Sequence, residues 1–294
     1  MKIYRRACAP YAWPQSDVPI RDNQTAMEPR QPLTDAASRA PRYAGIFSSL
    51  LKRQWRERRV PAPKVWNRPG LKICCVKWGD KFGPEYVNIL HDMVNRNLAV
   101  GTARDFICFT DNADGLDAGI LAAPLPGDLA GWWTKLYLFR RGVFTAGDRV
   151  LFMDLDTVIV GAIDDIAAYG GEFAILRDFY RPDGWQSSIM AWRGGFGAEI
   201  WDLYRKHGCP DVEGGDQAWI EHVVSDADIW QDLLPGQFVS YKVHAREGPP
   251  AGARVIVFHG KPRPHEAGGW VPQVWRVGAA RHGEPAIGAA GSSA

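Results

Sequence analysis

From Leu71 onwards, short apolar runs alternate with turn signals and segments of helical period, a pattern that few architectures satisfy. "LKICCVKW" (71–78) reads as a buried strand, residues 79–83 as a turn, and "PEYVNILHDMVNRN" (84–97) as a helix with Pro84 in its first turn. "DFICFT" (105–110) follows as a strand, "GWWTKLYLFRRG" (131–142) as a helix and "RVLFM" (149–153) as a strand. Strands separated by helices run mostly parallel, because a crossover helix returns the chain to the same end of the sheet. The expected fold is α/β, with a mixed, mostly parallel sheet, flanking helices, and ligands beyond the C-terminal ends of the strands. Further strands are expected at 172–177, 187–192 and 253–260, and helices near 196–206 and 216–224. A chain of 294 residues has room for one large domain of this kind, expected over 71–277.

The flanks differ from this core. Residues 1–70 carry 14 Lys/Arg against 5 Asp/Glu, and the remainder 21 against 28, so the basic excess belongs to the N-terminal segment alone. Residues 1–42 lack a hydrophobic period, and little fixed structure is expected there. In residues 43–60, Tyr43, Ile46, Phe47, Leu50, Leu51 and Trp55 recur at helical spacing beside Lys52, Arg53, Arg56, Arg58 and Arg59. That pattern suits a helix lying on an anionic membrane; the alternative is a helix packed on the domain or an unstructured arm. Residues 278–294 read as a low-complexity, flexible tail. No apolar run approaches the ~18 residues of a bilayer span, and the first residues lack the apolar stretch of a secretory signal. A cytoplasmic setting is therefore expected, with peripheral contact at the inner membrane face through residues 43–60. The five cysteines show neither CxxC nor zinc spacing. An acidic globular part without a recognition motif gives no case for nucleic acid, and no P-loop or GxSxG motif supports an NTPase or serine hydrolase.

Chemistry enters at "RVLFMDLDTVIVG" (149–161), where Asp154 and Asp156 interrupt apolar runs that packing alone would fill with Val or Ile. In an extended segment the two carboxylates share a face, while Leu155 points away. Such a pair, buried uncompensated, costs several kcal/mol. A divalent cation removes the penalty, and Mg²⁺ or Mn²⁺ suits hard oxygen ligands, Mn²⁺ also accepting imidazole. The alternative is a pair of solvated turn aspartates. A third candidate ligand, His259, follows another apolar strand in "VIVFHGKPRP", and Gly260 and Lys261 behind it could admit and neutralise a phosphate.

The order "DLD", "DQAW", "FHGKP" resembles the retaining GT-A glycosyltransferases of the glycogenin and bacterial lipopolysaccharide galactosyltransferase type, over about residues 71–265. The resemblance implies a GT-A fold, a nucleotide-diphosphate sugar donor, usually a UDP sugar, a saccharide or glycan acceptor, and Mn²⁺ (or Mg²⁺). Asp154, Asp156 and His259 would hold the metal. Val76 and Trp78 would lie near the nucleobase, and Lys135, where the family usually has Arg, would meet phosphate or donor sugar. Gln186, Ser187 and Ser188 match the strand beside the donor sugar. Asp216 would bind sugar hydroxyls with Gln217 near the anomeric carbon, although Asp216 also reads as a helix N-cap. One departure concerns the late motif: the family usually separates the HG pair from Lys-Pro by two residues, whereas here Lys261 follows Gly260 directly.

Two other functions fit parts of the pattern. "FMDLDTV" also resembles the strand-end motif of haloacid-dehalogenase-type phosphatases, with Asp154 as nucleophile and Asp156 as acid/base. A non-catalytic sugar-nucleotide-binding protein would need no turnover. Trp185, Trp192, Trp219 and Trp230 could form a saccharide platform or be core.

Overall fold

The computed structural model describes residues 69–208 and 214–276. All of them belong to the unit Pro61–Ala294. The expectations for residues 1–68, including the amphipathic stretch 43–60, and for the tail 278–294 lie outside the described residues.

In chain order the strands are β1 (Leu71–Lys77), β2 (Arg104–Thr110), β3 (Leu121–Pro124), β4 (Arg149–Met153), β5 (Thr157–Ile159), β6 (Phe173–Arg177), β7 (Trp185–Arg193), β8 (Asp228–Ile229), β9 (Phe238–Ser240) and β10 (Val255–Val257). The α-helices are α1 (Pro84–Asn97), α2 (Asp164–Ala167), α3 (Ala198–His207), α4 (Gly215–Val223), α5 (Trp230–Leu233), α6 (Tyr241–His244) and α7 (Val271–Val274). The large sheet has the order β3-β2-β1-β4-β7-β6-β8, parallel from β3 to β4 and antiparallel on both sides of β7. A second sheet, β5-β10-β9, is built from short pieces. The expected α/β class with a mostly parallel sheet is thus what forms.

The helix α1 follows from its sequence. Tyr86, Val87, Ile89, Leu90, Met93 and Val94 are buried at i, i+3, i+4 and i+7 spacing and cover the sheet, and Pro84 opens the first turn. Two expectations need correction. Residues 131–142 form a 3-10 helix over Gly131–Phe139 rather than an α-helix. Every residue from Trp133 to Phe139 is buried, so the segment presents no single amphipathic face. The "DLD" stretch is not extended: the Thr157 N–H donates to the Asp154 carbonyl at 3.1 Å, closing a tight turn. The turn is required because β4 belongs to the large sheet whereas β5 pairs with β10 in the small one.

Candidate functional site at the C-terminal ends of the parallel strands

The turn after β4 leaves Asp154 and Asp156 half-buried while Leu155 enters the core. β1 and β4 pair from Leu71↔Arg149 to Cys74↔Phe152, so Val76 and Asp154 emerge at the same end of adjacent parallel strands. Val76 is half-buried, and Trp78, 36% exposed, is open to solvent rather than packed in the core.

Lys135 draws the distant motifs together. Its Nζ lies 3.2 Å from Asp154 Oδ1, 2.9 Å from Asp216 Oδ2 and 3.0 Å from Ser187 Oγ, and the Ser187 hydroxyl donates to Asp216 Oδ2 at 2.6 Å. Burial opposes the Lys135 charge, yet Asp154 and Asp216 outweigh it and hold the ammonium above its ordinary range. The family-type Arg position is therefore filled by an ammonium whose close contacts are two carboxylates and a hydroxyl. Asp216 does not cap α4; Gly214 is the N-cap, with φ of 98°, and Asp216 turns inward. A side chain on Gly215 would run into the Trp132 ring at 2.6 Å, so the Gly-Gly pair lets α4 start against that ring and aims Asp216 at Lys135.

A bulge in β7 presents the other residues. Pairing with β6 jumps from Ile175↔Met190 to Leu176↔Gln186, which leaves Ser187, Ser188 and Ile189 without β6 partners. Gln186, Ser187 and Ser188 are buried there, and the Gln186 Oε1 has no hydrogen-bond partner. Gln217, half-buried, follows Asp216 on α4.

The carboxylates are tested as cation ligands by their own electrostatics. Burial and then the neighbouring Asp154 push the Asp156 carboxyl up to about 7, and burial raises Asp154 despite Lys135. The raised Asp156 carboxyl marks a repulsion between Asp154 and Asp156 that a divalent cation held by both would relieve. His259 stands nearby in topology, since β10 pairs Val257 with Thr157, but its Nε2 contacts Ser240 Oγ at 2.7 Å. Burial, then Lys242, holds its imidazole down to about 4, hence neutral at pH 7. Among the described residues no three His, Cys, Asp or Glu side chains converge as a metal-binding group. The two aspartates fit the ion; His259 is not gathered with them.

Gly260 takes φ of 69°, and Lys261, its side chain 74% exposed, reaches Glu266 at 3.8 Å. Two further cations, which the sequence did not single out, stand close together. Lys81, on the loop after β1, and Arg263 lie over the Phe82 ring at 4.9 Å and 5.2 Å, and Arg263 Nη1 donates to the Lys81 carbonyl at 3.4 Å. Desolvation draws Lys81 below its ordinary value although Asp156 pulls upward, and Arg263 adds to the fall. A signal for Arg263 was present: two residues separate Gly260 from Arg263-Pro264, the spacing usual for Lys-Pro in the family that the sequence resembles. Trp192, Trp219 and Trp230 are core, which removes them as a saccharide platform, and Trp185 is half-buried.

No family model and no curated protein matches the chain. Solved structures do. The bifunctional glycosyltransferase WbbM superposes with a TM-score of 0.53 at 11% identity, covering 71% of this chain and 50% of that one. The glycosyltransferase GlyE of Streptococcus pneumoniae TIGR4 gives 0.50 at 14% identity, covering 69% and 58%. The galactosyltransferase LgtC, solved with donor and acceptor sugar analogues, gives 0.46 at 10%, covering 66% and 88%. The fold is that of GT-A-like glycosyltransferases. The chain spans half to three-fifths of the length of WbbM and GlyE.

Proposed function

We propose that this protein is a metal-dependent glycosyltransferase that moves a sugar from a nucleotide-diphosphate sugar, a UDP sugar in the first instance, to a saccharide or glycan acceptor. The observation that carries the reading is the Lys135–Asp154–Ser187–Asp216 cluster at the C-terminal ends of the parallel strands of a glycosyltransferase fold. A cytoplasmic setting goes with it, and no described helix is long and apolar enough to cross a membrane.

Transfer breaks the bond between the anomeric carbon and the diphosphate, so negative charge grows on the leaving group and positive charge on the sugar. Mn²⁺ or Mg²⁺ held by Asp154 and Asp156 would supply a Lewis acid for the diphosphate. Lys81 supplies positive charge beside Asp156 and Arg263 stands next to Lys81, with the planar fork suited to phosphate. Lys135 holds Asp154 and Asp216 at a fixed separation, and Asp216 binds donor-sugar hydroxyls with the oxygen that Lys135 and Ser187 leave open. Gln186 Oε1 is a ready acceptor for another hydroxyl. Gln217 lies toward the anomeric carbon, Trp78 offers its exposed ring to the nucleobase, and transfer proceeds with retention by front-face attack.

Binding of UDP- and GDP-sugars is measured by calorimetry with and without Mn²⁺, alongside donor hydrolysis. One UDP sugar should bind in the micromolar range only with Mn²⁺ and be hydrolysed slowly, and Asp156→Asn should abolish both. If no nucleotide sugar binds, the proposal fails; binding without turnover points to the non-catalytic alternative.

A further inference from the structure

The loop between β6 and β7, residues 178–184, is closed and pinned. Asp178 Oδ1 accepts the N–H groups of Tyr180 and Arg181 at 2.8 and 3.1 Å, and the Asp178 N–H donates to the Gly184 carbonyl at 2.9 Å. Arg181 then bonds Glu221 on α4 at 2.6 Å, the helix that carries Asp216. Held this way, Tyr180 leaves its side chain in solvent, 65% exposed, with its ring edge-on to His259 at 5.0 Å.

On the other side of His259 two cations meet. Lys242 Nζ reaches to within 3.4 Å of where a side chain on Gly260 would begin, and Arg246 Nε donates to the Lys242 carbonyl at 3.0 Å. Partial desolvation and then Arg246 draw Lys242 below its ordinary value. Asp178, the acidic group nearest Tyr180 and His259, already gives its Oδ1 to two backbone N–H groups. Two like charges, an exposed ring and a left-handed glycine thus lie around His259.

We propose that Tyr180, Gly260, Lys242 and Arg246 form a subsite for an anionic pyranose, a sugar unit of the acceptor bearing a carboxylate or phosphate, with Tyr180 against the ring and the two cations on the charge. This rests on the glycosyltransferase reading for the word acceptor, not for the binding itself. The physical reason is that two cations held side by side attract an anion, while sugar C–H faces favour an aromatic surface.

Methyl β-D-glucuronide, glucose 6-phosphate and neutral methyl β-D-glucoside are titrated into the full chain by NMR at low salt, with UDP and Mn²⁺ present and absent, and UDP affinity is measured separately. At least one charged sugar should bind about tenfold more tightly than the neutral glycoside, the scale of two half-exposed ion pairs, and the preference should fade in 1 M salt. Glucuronide alone identifies a carboxylate ligand, glucose 6-phosphate alone a phosphate ligand. The Lys242→Ala/Arg246→Ala double variant should erase the preference, Lys242→Arg/Arg246→Lys should keep it, and Tyr180→Ala should weaken charged and neutral sugars alike. Equal affinity for the neutral glycoside, or an equal loss of UDP affinity in the double alanine variant, overturns the subsite. Loss of UDP binding in the unmodified chain with the sugar preference intact would instead overturn the glycosyltransferase reading.

Discussion

Two lysines in this domain are buried between pairs of aspartates, one at each end of the parallel strands. Lys72, with a side chain 2% exposed, reaches Asp105 at 2.5 Å and Asp148 at 3.7 Å; Lys135, 9% exposed, reaches Asp216 at 2.9 Å and Asp154 at 3.2 Å. Exposure of the partners does not separate the two sites, since Asp105 and Asp154 are 37% and 30% exposed. Saturation does. The Asp148 oxygens also accept the Gly70 N–H at 3.2 Å, the Thr145 N–H at 2.7 Å and the Thr145 hydroxyl at 2.8 Å, so that cluster is complete within the chain. Around Lys135 a third carboxylate, Asp156, adds charge, and the Gln186 Oε1 lacks a donor. A buried ion pair with every valence filled is structure; one with charge and acceptors left over awaits a ligand.

The largest effect should come from opening the Lys135 site further. Lys135→Met leaves Asp154, Asp156 and Asp216 without their common cation, and sugar transfer should fall by about 10²–10³-fold or more, read as kcat with saturating donor. A variant within tenfold of the parent would show that this cluster is as structural as the other. Lys72→Met should do the converse. Its cost should be about 3 kcal/mol in urea unfolding, the low end for breaking a buried pair because Asp148 keeps three donors, with kcat per folded molecule unchanged.

Acidity gives a smaller test on the metal-free protein in EDTA. The Asp156 carboxyl is raised from 3.8 to about 7 in the folded state, so between those values the unfolded chain releases a proton that the folded chain retains. That difference makes stability fall as pH rises from about 4 to 7. His259, lowered from 6.5 to about 4, acts oppositely and removes stability as pH falls through the same window. Urea midpoints of Asp156→Asn should therefore gain on the parent at pH 8 and match it near pH 4. An equal gain at both values would mean that Asp156 is no more strained than the carboxylates around Lys72.

Much of this was legible before any coordinates. The bounds of β4 and α1 coincide with the apolar run 149–153 and the periodic stretch 84–97, because one buried face per element writes itself into the sequence. Asp154, Ser187 and Asp216 were singled out on motif grounds and do meet. What stayed hidden depends on tertiary context. The 3-10 segment Gly131–Phe139 is buried from Trp133 onward and so carries no amphipathic period, and the β7 bulge shows only in the pairing of β7 with β6. Lys81, Tyr180 and Lys242 sit on loops or a one-turn helix, where no period marks a residue as facing inward.

The smallest expected effect separates two cations only two residues apart, and repeats the contrast between the lysine clusters in miniature. Lys261 lies in solvent with Glu266 as its partner, whereas Arg263 turns back over Phe82 and Lys81, beside Asp156. If the cation facing the open acidic cluster is the one that meets the diphosphate, Arg263→Ala should raise the donor KM about tenfold, the loss of one charge-assisted phosphate contact. Lys261→Ala should change it less than twofold, since a solvated, already paired ammonium contributes little. Arg263→Lys should fall between them, because it keeps the charge and loses the planar fork. The reverse order would mean that the loop bearing Lys261 closes over the donor, and that the cluster around Lys135 is completed from the solvent side rather than from Lys81 and Arg263.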